Sequence, residues 1–233
     1  MPPSFKFIDL FAGLGGFHYA LKSIGGECVF ASEINKTLRD LYIKNHNLKS
    51  DLMHGDIAEC INKIPEHDIL AAGFPCQPFS KSGKQLGFDD NVRGDCIFYA
   101  LDIIKKKKPK YFILENVGNF ARHNNGNSWR DIQFELRELG YTVRSTADNI
   151  DNGGYEKLIS PHHFGYPQKR ERFFAVGSLD YIPKDIFPIP NEKKPNLETI
   201  IIPKKKSKLS TDKLIDIDKC KIGTQALKAI KLW

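Results

Sequence analysis

Short apolar runs alternate with stretches of helical spacing over the first 177 residues, the pattern of a chain that winds strands and helices into a βαβ sheet. Residues 6–11 predict a strand and 17–23 the start of a helix. Residues 27–32 predict a second strand, followed by a helix over 35–45. Residues 69–72 form a strand that runs into Gly73. Residues 95–108 predict a helix that stops at Pro109 after four consecutive lysines, cations suited to the negative end of a helix dipole. A strand over 111–114 follows. Trp129, Ile132, Leu136 and Leu139 then recur at helical spacing, with Gly140 as the stop. Late strands are expected over 142–149 and 173–177. The fold class is therefore α/β, a mixed, mostly parallel sheet with helices on both faces.

Two stretches break the pattern. Residues 74–94 have no clean period and contain Pro75, Pro78, Gly83, Gly87 and Gly94; a loop of that length fed directly by a strand reads as an active-site lid. After Gly177 the chain is punctuated by Pro183, Pro188, Pro190, Pro195 and Pro203, and residues 204–208 carry four lysines. The expected division is a domain over 1–177 and a basic Pro/Lys-rich segment over 178–233. The last stretch, 224–233, regains helical texture, with Ala226, Ile230 and Trp233 on one face.

Composition narrows the class. No apolar run approaches the roughly 20 residues of a membrane span, and the chain enters its first strand pattern at once, so no signal peptide is expected and the location read is cytoplasmic. Five cysteines at positions 28, 60, 76, 96 and 220, with no C-x-x-C pair, argue against a disulfide framework and a structural zinc site; no metal is expected. The net charge of +7 is uneven. Residues 1–177 hold 23 basic against 21 acidic side chains, and residues 178–233 hold 12 against 7. A basic segment suits a polyanionic partner, although a solvated lysine-rich face has the same charge.

Phe7-Ile8-Asp9-Leu10-Phe11-Ala12-Gly13-Leu14-Gly15-Gly16-Phe17 joins the first strand to the first helix. Glycines there let the backbone approach a ligand, although such a turn also serves as a plain tight connection. It departs from G-x-G-x-x-G, which disfavours a nicotinamide dinucleotide without excluding it. Glu33, at the end of the second strand, is placed to accept both hydroxyls of a ribose. Asp56, at the end of a short third segment (Gly55-Asp56-Ile57), is placed to accept from an adenine amino group. The series points to an adenosine-bearing cofactor.

Gly73-Phe74-Pro75-Cys76-Gln77-Pro78-Phe79-Ser80 follows a strand directly. An arbitrary cysteine is usually a small core residue. Flanking prolines, a strand-end position and the long loop that follows turn Cys76 into a candidate nucleophile.

Four segments carry a resemblance. Phe-Ala-Gly-Leu-Gly-Gly at 11–16, Gly-Phe-Pro-Cys-Gln-Pro-Phe-Ser at 73–80, Glu115-Asn116-Val117, and Gln168-Lys169-Arg170-Glu171-Arg172 resemble, in order, signature motifs of the cytosine-5 DNA methyltransferases, and most resemble the bacterial restriction–modification enzymes. The resemblance implies a Rossmann-like S-adenosylmethionine-dependent methyltransferase fold. It implies methyl transfer to carbon 5 of a flipped-out cytosine in double-stranded DNA, through a covalent bond from Cys76 to carbon 6. It assigns Glu115 as the proton donor at nitrogen 3 and Arg172 as the holder of the 2-oxygen. Arg170 falls to a phosphate; the residues alone leave open that one of these arginines only pairs with Glu171. Cofactor contacts are implied for Phe11, Ala12, Gly13, Gly15, Glu33, Ile34, Asp56, Ile57, Gly73 and Pro75, with Phe11 stacking on the adenine. Ser80, Lys81, Ser82, Lys84 and Arg93 have the residue types of a lid closing on DNA phosphates. The pair His162-His163 reads as structural.

Neither the target-recognition region nor the two late motifs of the family are found. The resemblance therefore covers the catalytic domain only and implies a complementing subunit or missing part, with weak or no activity of this chain alone. An RNA cytosine-5 methyltransferase and an inactive remnant that only binds cofactor or DNA are the competing readings.

Overall fold

The computed structural model describes residues 4–75, 96–147 and 158–188. The described residues belong to one compact unit, Met1–Lys193; a second unit, Lys194–Trp233, lies outside them. Seven strands form one sheet: β1 (Phe5–Leu10), β2 (Gly26–Ser32), β3 (Met53–His54), β4 (Ile69–Gly73), β5 (Tyr111–Val117), β6 (Thr142–Ser145) and β7 (Arg172–Ser178). The order is β3-β2-β1-β4-β5-β7-β6. Neighbours from β3 to β5 pair in parallel, and β7 enters antiparallel between β5 and β6. Among the described residues, five α-helices accompany the sheet: α1 (Gly16–Ser23), α2 (Lys36–His46), α3 (Ile57–Cys60), α4 (Cys96–Lys107) and α5 (Asn127–Glu138). This is the expected α/β architecture.

Central strands are apolar on both sides because helices cover both faces. Ile8, Leu10, Phe30, Leu70, Ala72, Phe112, Leu114, Phe173 and Ala175 pack in one core with Ile97, Leu101 and Ile104 of α4 and Trp129, Ile132 and Leu136 of α5. Phe7, Cys28, Ala31 and Ala71 form the core on the other face, with Leu21 of α1 and Tyr42 of α2. Each large apolar side chain buried here contributes roughly 1.5–3 kcal/mol of transfer free energy. The second face is only partly covered: Ile113 on β5 and Phe174 and Val176 on β7 stay half-buried, and Tyr111 and Val117 at the ends of β5 are exposed.

Local chemistry sets the element ends. Asn35 caps α2, its side chain accepting from the Leu38 N–H, and Gly140 ends α5 at φ +94°. One segment differs from expectation. β6 stops at Ser145, not at 149: the Thr146 hydroxyl accepts the Phe174 N–H at 3.0 Å, and the Ser145 hydroxyl accepts the Ala147 N–H at 3.1 Å, so side chains turn the backbone out of the ladder. The third strand is Met53–His54, and Asp56 lies beyond it as the cap of α3, accepting from the Ala58 N–H at 3.0 Å. Past β7, the Leu179 N–H donates to the Lys110 carbonyl and Ile182 is buried, so the chain stays against the domain for at least these residues.

Candidate active site at the strand ends

The parallel strands β1, β2, β4 and β5 bring their C-terminal ends to one edge of the sheet, where ligands sit in open α/β folds. The turn after β1 reverses sharply. Phe11 adopts φ +56°, costly for a residue with a Cβ, and Gly13 and Gly15 follow at +54° and +85°. The Ala12 N–H donates to the Ser32 carbonyl at 2.9 Å, tying the turn to the end of β2.

Glu33 is the hub of this edge. Its Oε2 accepts the Gly13 N–H and its Oε1 the Asn35 N–H, each at 2.9 Å. The Arg39 guanidinium donates to the Glu33 and Ile34 carbonyls at 2.7 and 2.8 Å, fixing the backbone that carries the carboxylate. Arg39 was not foreseen in the sequence. A carboxylate has about four acceptor positions, so Glu33 keeps capacity for two hydroxyls. Three features suit an adenosine-bearing ligand. Among the described residues, no atom beyond the chain neighbours stands within 4 Å of a Cβ built on Gly13. Ile34 and Leu14 are 71% and 58% exposed. The buried Ser32 hydroxyl has no hydrogen-bond partner among the described residues. Of the remaining turn and strand-end candidates, Ala12 and Ile57 are buried, Phe11 packs partly against the core, and Asp56 is half-buried.

The second half of the site lies at the ends of β4, β5 and β7. Gly73 pairs in register with Glu115, and Glu115 with Phe174. The Arg172 Nε lies 2.8 Å from Glu115 Oε1 and its Nη1 donates to the Glu171 carbonyl at 2.9 Å. Arg172 therefore pairs with Glu115, not with the Glu171 carboxylate. A Cβ on Gly73 would stand 3.3 Å from Glu115 Oε2, so the missing side chain makes room for the carboxyl. Burial pushes the Glu115 pKa up, and the guanidiniums of Arg172 and Arg170 oppose the rise without cancelling it. Arg170 is exposed, its backbone N–H held by the Ser160 hydroxyl at 2.8 Å; that hydroxyl also meets His162 Nδ1 at 2.7 Å.

Asn116 sets the chain that leaves β4. It is buried, and its side-chain amide donates to the Phe74 carbonyl at 3.0 Å while its own oxygen accepts the Val117 N–H. The Phe74 ring is buried edge-on against Phe120. Phe74 is thus pinned by backbone and ring, and exposed Pro75 follows it. Cys76 and the lid candidates Ser80, Lys81, Ser82, Lys84 and Arg93 lie outside the described residues. Of the described cysteines, Cys28 and Cys60 are buried. Burial and the nearby Asp9 push the Cys28 thiol up to about 12, and burial raises Cys60 too; neither is poised as a thiolate. No cluster of metal-ligating side chains occurs among the described residues.

Beneath the glycine turn lies a buried polar chain that the sequence reading missed. The Tyr42 hydroxyl donates to Asp9 Oδ2 and meets His18 Nδ1, both at 2.9 Å. Burial pushes Asp9 up to about 7 and holds His18 down to about 4, with His46 and Lys22 adding to the latter. Asp9 binds its proton more tightly folded than unfolded. Its contribution to stability is therefore full in acid and is lost as pH rises from 3.8 to about 7. His18 acts oppositely between about 4 and 6.5, so the two slopes offset each other. Asp9→Asn removes only the first. Its unfolding free energy relative to the unaltered chain should rise with pH by about one proton's worth of slope between pH 4 and 7. Urea unfolding at pH 4.5 and 6.5 checks this, and parallel profiles would refute it.

A family model described as C-5 cytosine-specific DNA methylase matches residues 5–230. The Type II methyltransferase M.HhaI of Haemophilus parahaemolyticus is 45% identical over 172 residues, covering 73% of this chain and 48% of that protein. M.HaeII of Haemophilus aegyptius is 44% identical, covering 84% and 57%. The chain spans about half the length of the curated relatives it matches. Among solved structures, the S. pombe Dnmt2 methyltransferase aligns with a TM-score of 0.56 at 23% identity, over 77% of this chain and 50% of that one. A prophage-encoded putative DNA modification methyltransferase from E. coli aligns with a TM-score of 0.57 at 22% identity, over 82% and 52%. At these identities the structural likeness concerns the fold.

Proposed function

The chain belongs to the C-5 cytosine-specific DNA methylase family, and from that premise we propose that it supplies the catalytic part of methyl transfer from S-adenosylmethionine to carbon 5 of cytosine in double-stranded DNA, within a restriction–modification system. The observation that carries the proposal is the Glu115–Arg172 pair set against Gly73, three residues ahead of Cys76.

The chemistry follows from the poor nucleophilicity of cytosine carbon 5. Cys76, as thiolate, adds to carbon 6 and turns the ring into an enamine whose carbon 5 is electron-rich. Negative charge then grows on the ring, and the raised pKa of Glu115 suits it to hold a proton and give it to nitrogen 3. Arg172 presents a fixed donor fork for the 2-oxygen and keeps the Glu115 carboxyl oriented. Bound S-adenosylmethionine supplies the electrophilic methyl group. Phe11, Ala12, Gly13 and Gly15 of the turn, Glu33-Ile34, Asp56-Ile57, Gly73 and Pro75 are the residues that would hold it. Loss of the carbon 5 proton to water, return of the nitrogen 3 proton to Glu115 and expulsion of the thiolate restore the ring. A stacked base cannot offer carbon 6 to a thiol, so the target cytosine is flipped out, at a cost of roughly a few kcal/mol. Ser80, Ser82, Lys84, Arg93 and Arg170 are the candidates for the DNA contacts that offset it.

A complementing polypeptide with the target-recognition region forms part of the reading. The half-buried apolar face of Ile113, Phe174 and Val176 supports it, since such surface is normally covered. The test is transfer of a labelled methyl group to duplex DNA and to transfer RNA, by the chain alone and with a polypeptide that carries a target-recognition region of the family. Label should enter duplex DNA only, weakly alone and at least tenfold faster with the partner. Label in transfer RNA would overturn the substrate, and efficient sequence-specific methylation by the chain alone would overturn the need for a partner.

A further inference from the structure

His46, one helical turn beyond Tyr42 on α2, reaches across to the glycine turn, where its Nε2 lies 2.9 Å from the Leu14 carbonyl. A carbonyl only accepts, so Nε2 carries the proton and donates. The ring also packs against Gly15: a Cβ there would collide with both His46 and Tyr42, and Gly15 stands at φ +85°. His18 on α1 stacks on the same ring at a centroid distance of 4.2 Å and an interplanar angle of 28°. Lys22 of α1 donates to the His46 carbonyl at 3.1 Å, so the backbone of this residue is held as well. Behind the stack, the fully buried Tyr42 links His18 to Asp9 at the end of β1.

These contacts do more than fill a core. The Gly15 N–H donates to the Ala12 carbonyl at 2.8 Å, closing the turn on itself, while at its tip the Leu14 side chain is exposed and, among the described residues, no atom beyond the chain neighbours stands within 4 Å of the Gly13 Cβ position. The tip is held from one side by Glu33, through the Gly13 N–H, and from the other by His46, through the Leu14 carbonyl. We infer that His46 is a positioning residue for the cofactor turn, clamping the Leu14–Gly15 peptide, with Gly15 at its left-handed φ, before ligand arrives, with His18, Tyr42 and Asp9 holding the imidazole in place. A turn ordered in advance does not lose conformational entropy on binding, so the clamp appears as affinity. The inference rests on the proposal that this turn binds S-adenosylmethionine.

The experiment uses the full chain and three variants: His46→Leu, His46→Gln, whose amide N–H can replace the Nε2 donor, and Lys44→Ala on an exposed position of α2 as control. Two quantities are measured: amide hydrogen exchange at residues 13–16 without ligand, and calorimetric binding of S-adenosylhomocysteine. His46→Leu should speed exchange at the Gly15 amide and weaken binding, each about tenfold. His46→Gln should recover most of both, and Lys44→Ala should match the unaltered chain. Unchanged exchange in His46→Leu overturns the inference. So does a His46→Gln variant as impaired as His46→Leu, which would leave His46 with a packing role only. If the unaltered chain fails to bind S-adenosylhomocysteine, the cofactor reading fails, and the exchange data still decide the role of His46.

Discussion

Replacing Glu115 by glutamine is expected to lower the rate of methyl transfer by about 10²–10⁴-fold, the usual contribution of a positioned acid, while leaving cofactor affinity and thermal stability close to those of the unaltered chain. Glutamine keeps the shape of the side chain and still accepts from Arg172, so the 2.8 Å contact has a neutral substitute and β5 loses no packing. Only the transferable proton is gone. Burial raises the pKa of this carboxyl against the pull of Arg172 and Arg170. The reaction that depends on that proton should therefore slow as pH rises through the raised pKa, a limb the glutamine variant would lack. Rate against pH for the two proteins, in the presence of the complementing polypeptide, separates this role from a structural one. Equal rates would show that Glu115 gives no proton to the base.

How far the sequence reaches depends on whether a feature is local. The glycine turn, the strand into Gly73 and the helix closed by Gly140 were legible because each is written in consecutive residues with a strong conformational reason. Glu33 was legible because a carboxylate at the end of a second strand has few structural uses. Its capture of the Gly13 and Asn35 N–H groups was not, since that needs the loop to fold back. Asp56 was legible as the end of a short third segment; that its side chain binds its own backbone and starts α3 was not. The late strand was drawn too long because Thr146 reads as a strand former; its hydroxyl takes the place of a ladder partner. The chain Asp9–Tyr42–His18 was hidden by distance, since its members come from β1, α2 and α1 and only the packed fold brings them together. The spacing of Tyr42 and His46, one helical turn apart, was the signal that could have flagged it. Asn116 had a name in the E-N-V motif but no task until its amide was seen on the Phe74 carbonyl.

That bond bears on the second large effect. Phe74 is held by Asn116 and Phe120, Pro75 restricts the next backbone angle, and Cys76 follows. A thiol that follows so constrained a backbone in sequence is the candidate for addition to an electrophilic ring carbon. The buried Cys28 and Cys60 are not. Cys76 is expected to form a covalent bond to cytosine, and duplex DNA containing 5-fluorocytosine captures that bond, because fluorine at carbon 5 cannot leave as a cation and the adduct is trapped. With S-adenosylmethionine and the proposed complementing polypeptide present, the unaltered chain should give a complex that survives denaturation, with the modified peptide containing Cys76, and Cys76→Ser should give none. An adduct that persists in Cys76→Ser, or that maps to another cysteine such as Cys96, would contradict the account.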